Sequence, residues 1–169
     1  DHPRDGGPAR ERLGPREFFS PEDFDAADHA LVGACDGEGT FRGRLRIFDA
    51  KPLEIVVPPR RTRGPAPPRS PGPFRLTFAY VQGKPKQSLL AARDPARYER
   101  TCARLDELGG VYLYRDGMRI QPYGGPANDW LGVEKNRTKS ASYYFFSYRR
   151  MIGAVELTRA ANPTLQEKA

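Results

Sequence analysis

Apolar and polar residues alternate through TFRGRLRIF, so that Phe41, Gly43, Leu45 and Ile47 share one face while Arg42, Arg44 and Arg46 share the other. That period of two is the signature of a half-buried strand with a wet, basic side. The β-branched stretch Leu53 to Val57 follows closely and is expected to pair with it as a return strand. PFRLTFAYV alternates again, with Phe74, Leu76, Phe78 and Tyr80 directed inward, so three antiparallel strands are the economical arrangement.

The period then changes. In ARYERTCARLDEL the residues Tyr98, Cys102, Leu105 and Leu108 recur at helical spacing, Asp94-Pro95 supplies a cap and Gly109-Gly110 a stop. VYLYR and MRI flank Asp116-Gly117, the dipeptide most favoured in a two-residue hairpin turn. PYGGPANDWLG reads as a long loop whose Trp130 plugs against the sheet. Ser142 to Arg149 and Met151 to Thr158 predict two more strands, and Asn162-Pro163 is expected to cap and begin a helix running into TLQEKA. Strands outnumber helices without strict alternation, which predicts an α+β fold with helices on one face of a mixed sheet.

Length and charge sharpen this picture. The 169 residues suit one domain spanning 18–169, preceded by a charged, Gly- and Pro-rich flexible linker over 1–17 that resembles the cut edge of a longer protein. The formal charge of +7 is concentrated around a Pro/Arg-rich loop at 58–73, where Arg60, Arg61, Arg63 and Arg69 are interleaved with prolines. Such a segment buries too little apolar surface to offset its ordering entropy, and reads either as a solvated loop or as a contact for nucleic acid. No apolar run approaches the ~18 residues that cross a bilayer, and no apolar leader opens the chain, so a soluble, cytoplasmic protein without a membrane partner is expected.

The familiar catalytic patterns are missing. The sequence holds no phosphate-binding GxxxxGK[ST] loop and no GxSxG elbow. Its two cysteines, Cys35 and Cys102, and its two histidines, His2 and His29, match no metal spacing, so no metal site is expected. Glu22, Asp23, Asp25 and Asp28 lie in SPEDFDAADHA, where complementing the dipole of a short helix explains them. What remains is cationic: Lys135, Arg137, Lys139, Arg149 and Arg150 surround Tyr143, Tyr144, Phe145, Phe146 and Tyr148. Basic residues mixed with aromatics can stack bases and neutralise phosphates, and they equally build a strand with an aromatic core face and a basic rim.

The succession FAYVQG, GGVYLYRDGMRIQPYG, DWLG and SYRRMIGAVELTRAANPTLQEKA resembles the second, or transducer, domain of bacterial GHKL-type ATPases. This is the superfamily of gyrase B, MutL, the ninety-kilodalton heat-shock chaperones and the MORC proteins. The likeness runs from about Phe18 to Ala169 and is densest after Gly109. It implies the fold of the second domain of small-subunit ribosomal protein five, with a left-handed βαβ crossover. It also implies that Gln166-Glu167-Lys168 stands where gyrase-like members carry Gln-Thr-Lys, making Lys168 the expected γ-phosphate contact. ATP and Mg2+ would then be bound only in the full-length protein, by an N-terminal ATPase domain of the same chain, and this piece alone would hydrolyse nothing. The alternative from a different class is a basic nucleic-acid-binding module using Arg42, Arg44, Arg46, Arg60, Arg61, Arg63, Arg149 and Arg150. A homodimer is a further open partner.

Overall fold

The computed structural model describes residues 19–59, 72–140, 145–163 and 165. Its helices are α1 (Pro21–Ala26), α2 (Leu89–Arg93), α3 (Pro95–Leu108) and α4 (Val133–Lys139). Its strands are β1 (His29–Cys35), β2 (Phe41–Ile47), β3 (Leu53–Val57), β4 (Phe74–Tyr80), β5 (Gly110–Arg115), β6 (Met118–Arg119) and β7 (Met151–Leu157). The strands form one mixed sheet in the order β3-β2-β1-β4-β7-β5-β6, with β5 and β7 as its parallel pair. The α+β class with a mixed sheet therefore holds.

Strand β1 is not among the expected elements. HALVGAC carries small and apolar residues on both of its faces and so lacks the period of two that marks β2; it lies between β2 and β4, antiparallel to both. Inserting β1 separates β2 from β4, so the three anticipated strands do not simply neighbour one another. Opposite each other in the β1/β2 ladder are Gly33 and Gly43. A Cβ on Gly33 would press into the Arg42 carbonyl and come within 2.5 Å of the Phe41 ring. The phenyl group thus occupies the space that the two glycines leave open.

The two sides of the sheet carry different layers. Ala79 and Ile152 meet Phe24 of α1, Leu90 of α2, and Tyr98 and Leu105 of α3. On the other side Tyr80, Val111 and Met151 form a cluster with Tyr148, joined by Phe78, Trp130, Val133 and Phe146. The expectation of helices on one face is corrected here, because Val133 brings α4 to the second face. Asp129 nucleates that helix by accepting from the Val133 and Glu134 amides at 2.9 and 2.8 Å. Glu134 then accepts from the Ser147 hydroxyl and the Tyr148 amide, both at 2.8 Å.

Several turns follow from local chemistry. Asp94 accepts from the Arg97 amide and starts α3 as anticipated. Asp116 and Gly117 have φ of 51° and 77°, the paired positive values of a tight hairpin turn. Trp130 is the anticipated plug, and its indole N–H donates to the Val111 carbonyl at 2.7 Å.

Two expectations fail near the end of the chain. Ser142 to Arg149 does not form the predicted strand where it is described: residues 145–147 are irregular and Tyr148–Arg150 make a 3₁₀ turn. Phe146 and Tyr148 spend their apolar surface on the second face instead of extending the sheet. Asn162 caps no helix among the described residues, where Pro163 and Leu165 are not helical and the rest of TLQEKA lies outside them. Its buried amide donates to the carbonyls of Pro73 and Thr158 at 2.9 and 3.1 Å, and so clasps the turn after β7 to the start of β4.

Because the Arg42 carbonyl belongs to the ladder and cannot swing away, Gly33→Ala is expected to cost about 1–3 kcal/mol through overpacking. Gly37, with open space around the same hypothetical atom, provides the comparison. Urea denaturation of the two alanine variants checks this, with Gly37→Ala close to the parent protein.

Candidate functional site

Asp28 lies between α1 and β1 and is only 1% exposed. One carboxylate oxygen accepts from the Gln82 amide at 2.7 Å. The other accepts from the Leu89 amide at 2.7 Å and the Ser88 hydroxyl at 3.2 Å, with the Leu90 amide at 3.4 Å. Its role therefore differs from the one anticipated: α1 ends at Ala26, and Asp28 supplies negative charge to the amides that begin α2. Asp23 does belong to α1. It accepts from the Ser20 amide at 2.9 Å and faces Arg104 at 3.2 Å and Arg97 at 3.7 Å, joining α1 to α3.

His29 follows directly and is 7% exposed. Its ring lies 4.5 Å from that of Phe48, 6.0 Å from that of Tyr80 and 6.2 Å from that of Phe146. The Gln82 side-chain amide donates to Nε2 at 3.2 Å, which places the proton on Nδ1. Burial pushes the His29 pKa below its ordinary value of 6.5. The Asp28 charge opposes that shift and the Arg46 charge adds to it. The Asp28 carbonyl also pulls upward, yet Nδ1 makes no well-formed hydrogen bond among the described residues. This knot of Asp28, His29, Gln82 and Ser88 is the most enclosed polar group in the described structure. Composition gave no sign of it, because the partners are more than fifty residues apart in sequence.

The anticipated cations separate into three groups. Arg46 is structural: its guanidinium donates to the carbonyls of Phe24, Asp25, Ala27 and Phe48, closing the C-terminal end of α1. Arg150 is structural as well, donating to the Cys102 carbonyl at 3.2 Å and lying 3.4 Å from Asp106. Arg46 is thus engaged by four backbone carbonyls, and Arg150 is tied to α3 through Nη1. Arg42, Arg44 and Arg149 are exposed. In the sheet register Arg42 stands opposite Ala34, and Ala34 opposite Arg75. Lys168, Arg60, Arg61 and Arg63 lie outside the described residues.

An open groove of about 460 Å³ is lined by the 3₁₀ turn Pro85–Gln87, α2 and α3, through Pro85, Lys86, Ser88, Ala91, Pro95 and Tyr98. The Tyr98 hydroxyl, whose pKa burial pushes up to about 12, donates to the Gln82 carbonyl at 2.9 Å. Among the described residues no three His, Cys, Asp or Glu side chains gather as a metal site, and no helix is long and apolar enough to cross a membrane. No family model, curated protein or solved structure matches the chain.

Both oxygens of Asp28 face donors only, so an amide in its place must turn its NH₂ toward one of them. Asp28→Asn is accordingly expected to lower stability by about 2 kcal/mol or more, read by chemical denaturation. For His29 the unfolded chain takes up a proton near pH 6.5 while the folded protein resists it. Stability is then complete above that pH and declines as pH falls through it, by at most about 1.4 kcal/mol per pH unit. Denaturation midpoints compared between pH 7.5 and 5.5 should show the decline, and His29→Phe should flatten it.

Proposed function

We propose that this chain is the transducer domain of a GHKL-type ATPase, presenting Lys168 to the γ-phosphate of a nucleotide and relaying its presence to the sheet. In this reading ATP and Mg2+ are held by the N-terminal ATPase domain of the same chain, and the seven-stranded sheet is a variant of the ribosomal-protein-five second-domain fold. The α1–α3 layer supports that finer fold name, and α4 on the opposite face is an addition to it. The connection from β4 through α3 to β5 joins antiparallel strands. Any βαβ crossover of the expected kind must therefore run from β5 to its parallel neighbour β7.

The observation that carries the proposal is how the segment leading to Lys168 is tied down. Leaving β7, the Arg159 amide donates to the Asp116 carboxylate at 3.1 Å in the hairpin after β5. Asn162 then binds the Pro73 carbonyl at the entrance to β4, and the Leu165 carbonyl accepts from Arg115 at 3.5 Å. A pull on this segment is thus transmitted to β4, β5 and β7 together. A lysine beyond it can place a full charge beside phosphate oxygens and stabilise charge that develops during phosphoryl transfer. Release of the phosphate removes the attraction and frees the segment.

In the full-length protein, Lys168→Ala is expected to reduce ATP turnover at least tenfold while this domain alone turns over nothing. Unchanged turnover in a folded variant would remove Lys168 from the site.

A second reading rests on the row Arg42, Ala34, Arg75, which lines two exposed guanidiniums along the sheet. It treats this face as a nucleic-acid surface. Binding should weaken steeply with added salt as counterions are released, and Arg42→Glu combined with Arg44→Glu should abolish it. Fluorescence anisotropy with a labelled duplex at two salt concentrations decides, and salt-independent binding counts against this reading.

A further inference from the structure

Among the described residues strand β3 is the edge of the sheet, and its apolar side chains are exposed. Leu53 is 56%, Val56 57% and Val57 52% exposed, and the blunting that edges commonly carry is confined to Glu54 and the flanking Pro52 and Pro58.

The direction of its backbone groups follows from the neighbouring ladder. Phe48 donates to the Asp28 carbonyl and Asp36 to the Thr40 carbonyl, so the even-numbered residues of β1 and β2 bond one another. The odd-numbered residues of β2 therefore turn toward β3, where Phe41, Gly43 and Leu45 meet Val57, Ile55 and Leu53. Alternation leaves the N–H and C=O groups of Glu54 and Val56 directed away from the sheet. The next outward positions on either side are Pro52 and Pro58, which have no N–H to offer.

We infer that β3 pairs antiparallel with β3 of a second copy of this chain about a two-fold axis at Ile55. In that register Glu54 exchanges both backbone hydrogen bonds with Val56 of the partner subunit, and Val56 does the same with the partner's Glu54. Every outward group between the prolines is then satisfied. Neither neighbouring symmetric register does as well. Centring on Glu54 sets two carboxylates directly opposite each other, and centring on Val56 sets Glu54 against a proline. Side chains agree with the backbone: Ile55 faces Ile55 of the partner subunit, and Leu53 faces the partner's Val57, apolar against apolar. Glu54 keeps Arg44 as its cross-strand neighbour on the other side. The strand is self-complementary, as an isologous two-fold contact requires.

Sedimentation equilibrium of the full chain is the test, together with two variants. The parent protein is expected to be a concentration-dependent dimer. Val56→Pro removes one outward N–H that β2 does not use, and should shift the protein to monomer with its circular dichroism unchanged. Ile55 occupies a non-hydrogen-bonded pair, where α-carbons approach to about 4.5 Å, within disulfide range. Ile55→Cys should therefore form an intermolecular disulfide through residue 55, mapped by mass spectrometry, while Leu53→Cys should not link to itself. A parent protein that stays monomeric overturns the inference, whatever else binds the edge. So does a dimer that is unaffected by Val56→Pro and in which Ile55→Cys fails to cross-link.

Discussion

A carboxylate withdrawn from water must be surrounded by donors, and Asp28 obtains its donors from three separate places in the chain. The Gln82 amide fixes the exit of β4, and the Leu89 and Leu90 amides fix the start of α2, with the Ser88 hydroxyl beside them. One charge thereby sets where the edge of the helical layer meets the centre of the sheet. His29 inherits its position from the same constraint. Being next in sequence, it is carried into the aromatic enclosure of Phe48, Tyr80 and Phe146 on the opposite face. The junction between α1 and β1 thus joins the two layers through adjacent residues: Asp28 gathers donors on the helical side, and His29 is enclosed by rings on the other.

What was legible in the sequence was local. The strands β2 and β4, the cap of α3 and the Asp116-Gly117 turn each depend on residues within a few positions of one another, and each is found, although Ile47 is exposed and Ala79 is as buried as Tyr80. Trp130 as a plug was legible because a lone indole among turn formers has few other uses. Strand β1 was not, since HALVGAC puts small and apolar residues on both faces and shows no period of two. The helix α4 was hidden because its Lys135, Arg137 and Lys139 resembled the rim of a strand, while the residue that nucleates it, Asp129, lay in what read as loop. The roles of Arg46, Arg150 and Asn162 are set by carbonyls far away in sequence. A cation's position in a pattern does not reveal whether its donors will serve the fold or a ligand; here Arg46 binds four carbonyls and Arg150 holds α3 through Nη1.

The second face also explains why the chain between β6 and β7 is long. It must deliver Trp130 to the Val111 carbonyl, start α4 at Asp129, and return Tyr148 to a position where it accepts from the Val111 amide at 3.2 Å. Burial offsets the ordering cost of that segment through Val133, Phe146 and Tyr148. Glu134 holds the two ends of the excursion together. Burial alone would raise its pKa, but the hydrogen bonds from Ser147 and Tyr148 and the Arg137 charge outweigh that and keep the carboxyl below its usual range.

Both backbone groups of Val111 are met by side chains rather than by a neighbouring strand. Strand β6 is only two residues long and pairs with β5 at Tyr114 and Arg115, so the lower part of β5 would otherwise present bare backbone. Trp130 and Tyr148 close it with side chains. At that margin the backbone groups of Val111 are thus met by side chains, whereas at the opposite margin those of Glu54 and Val56 are left facing away from β2.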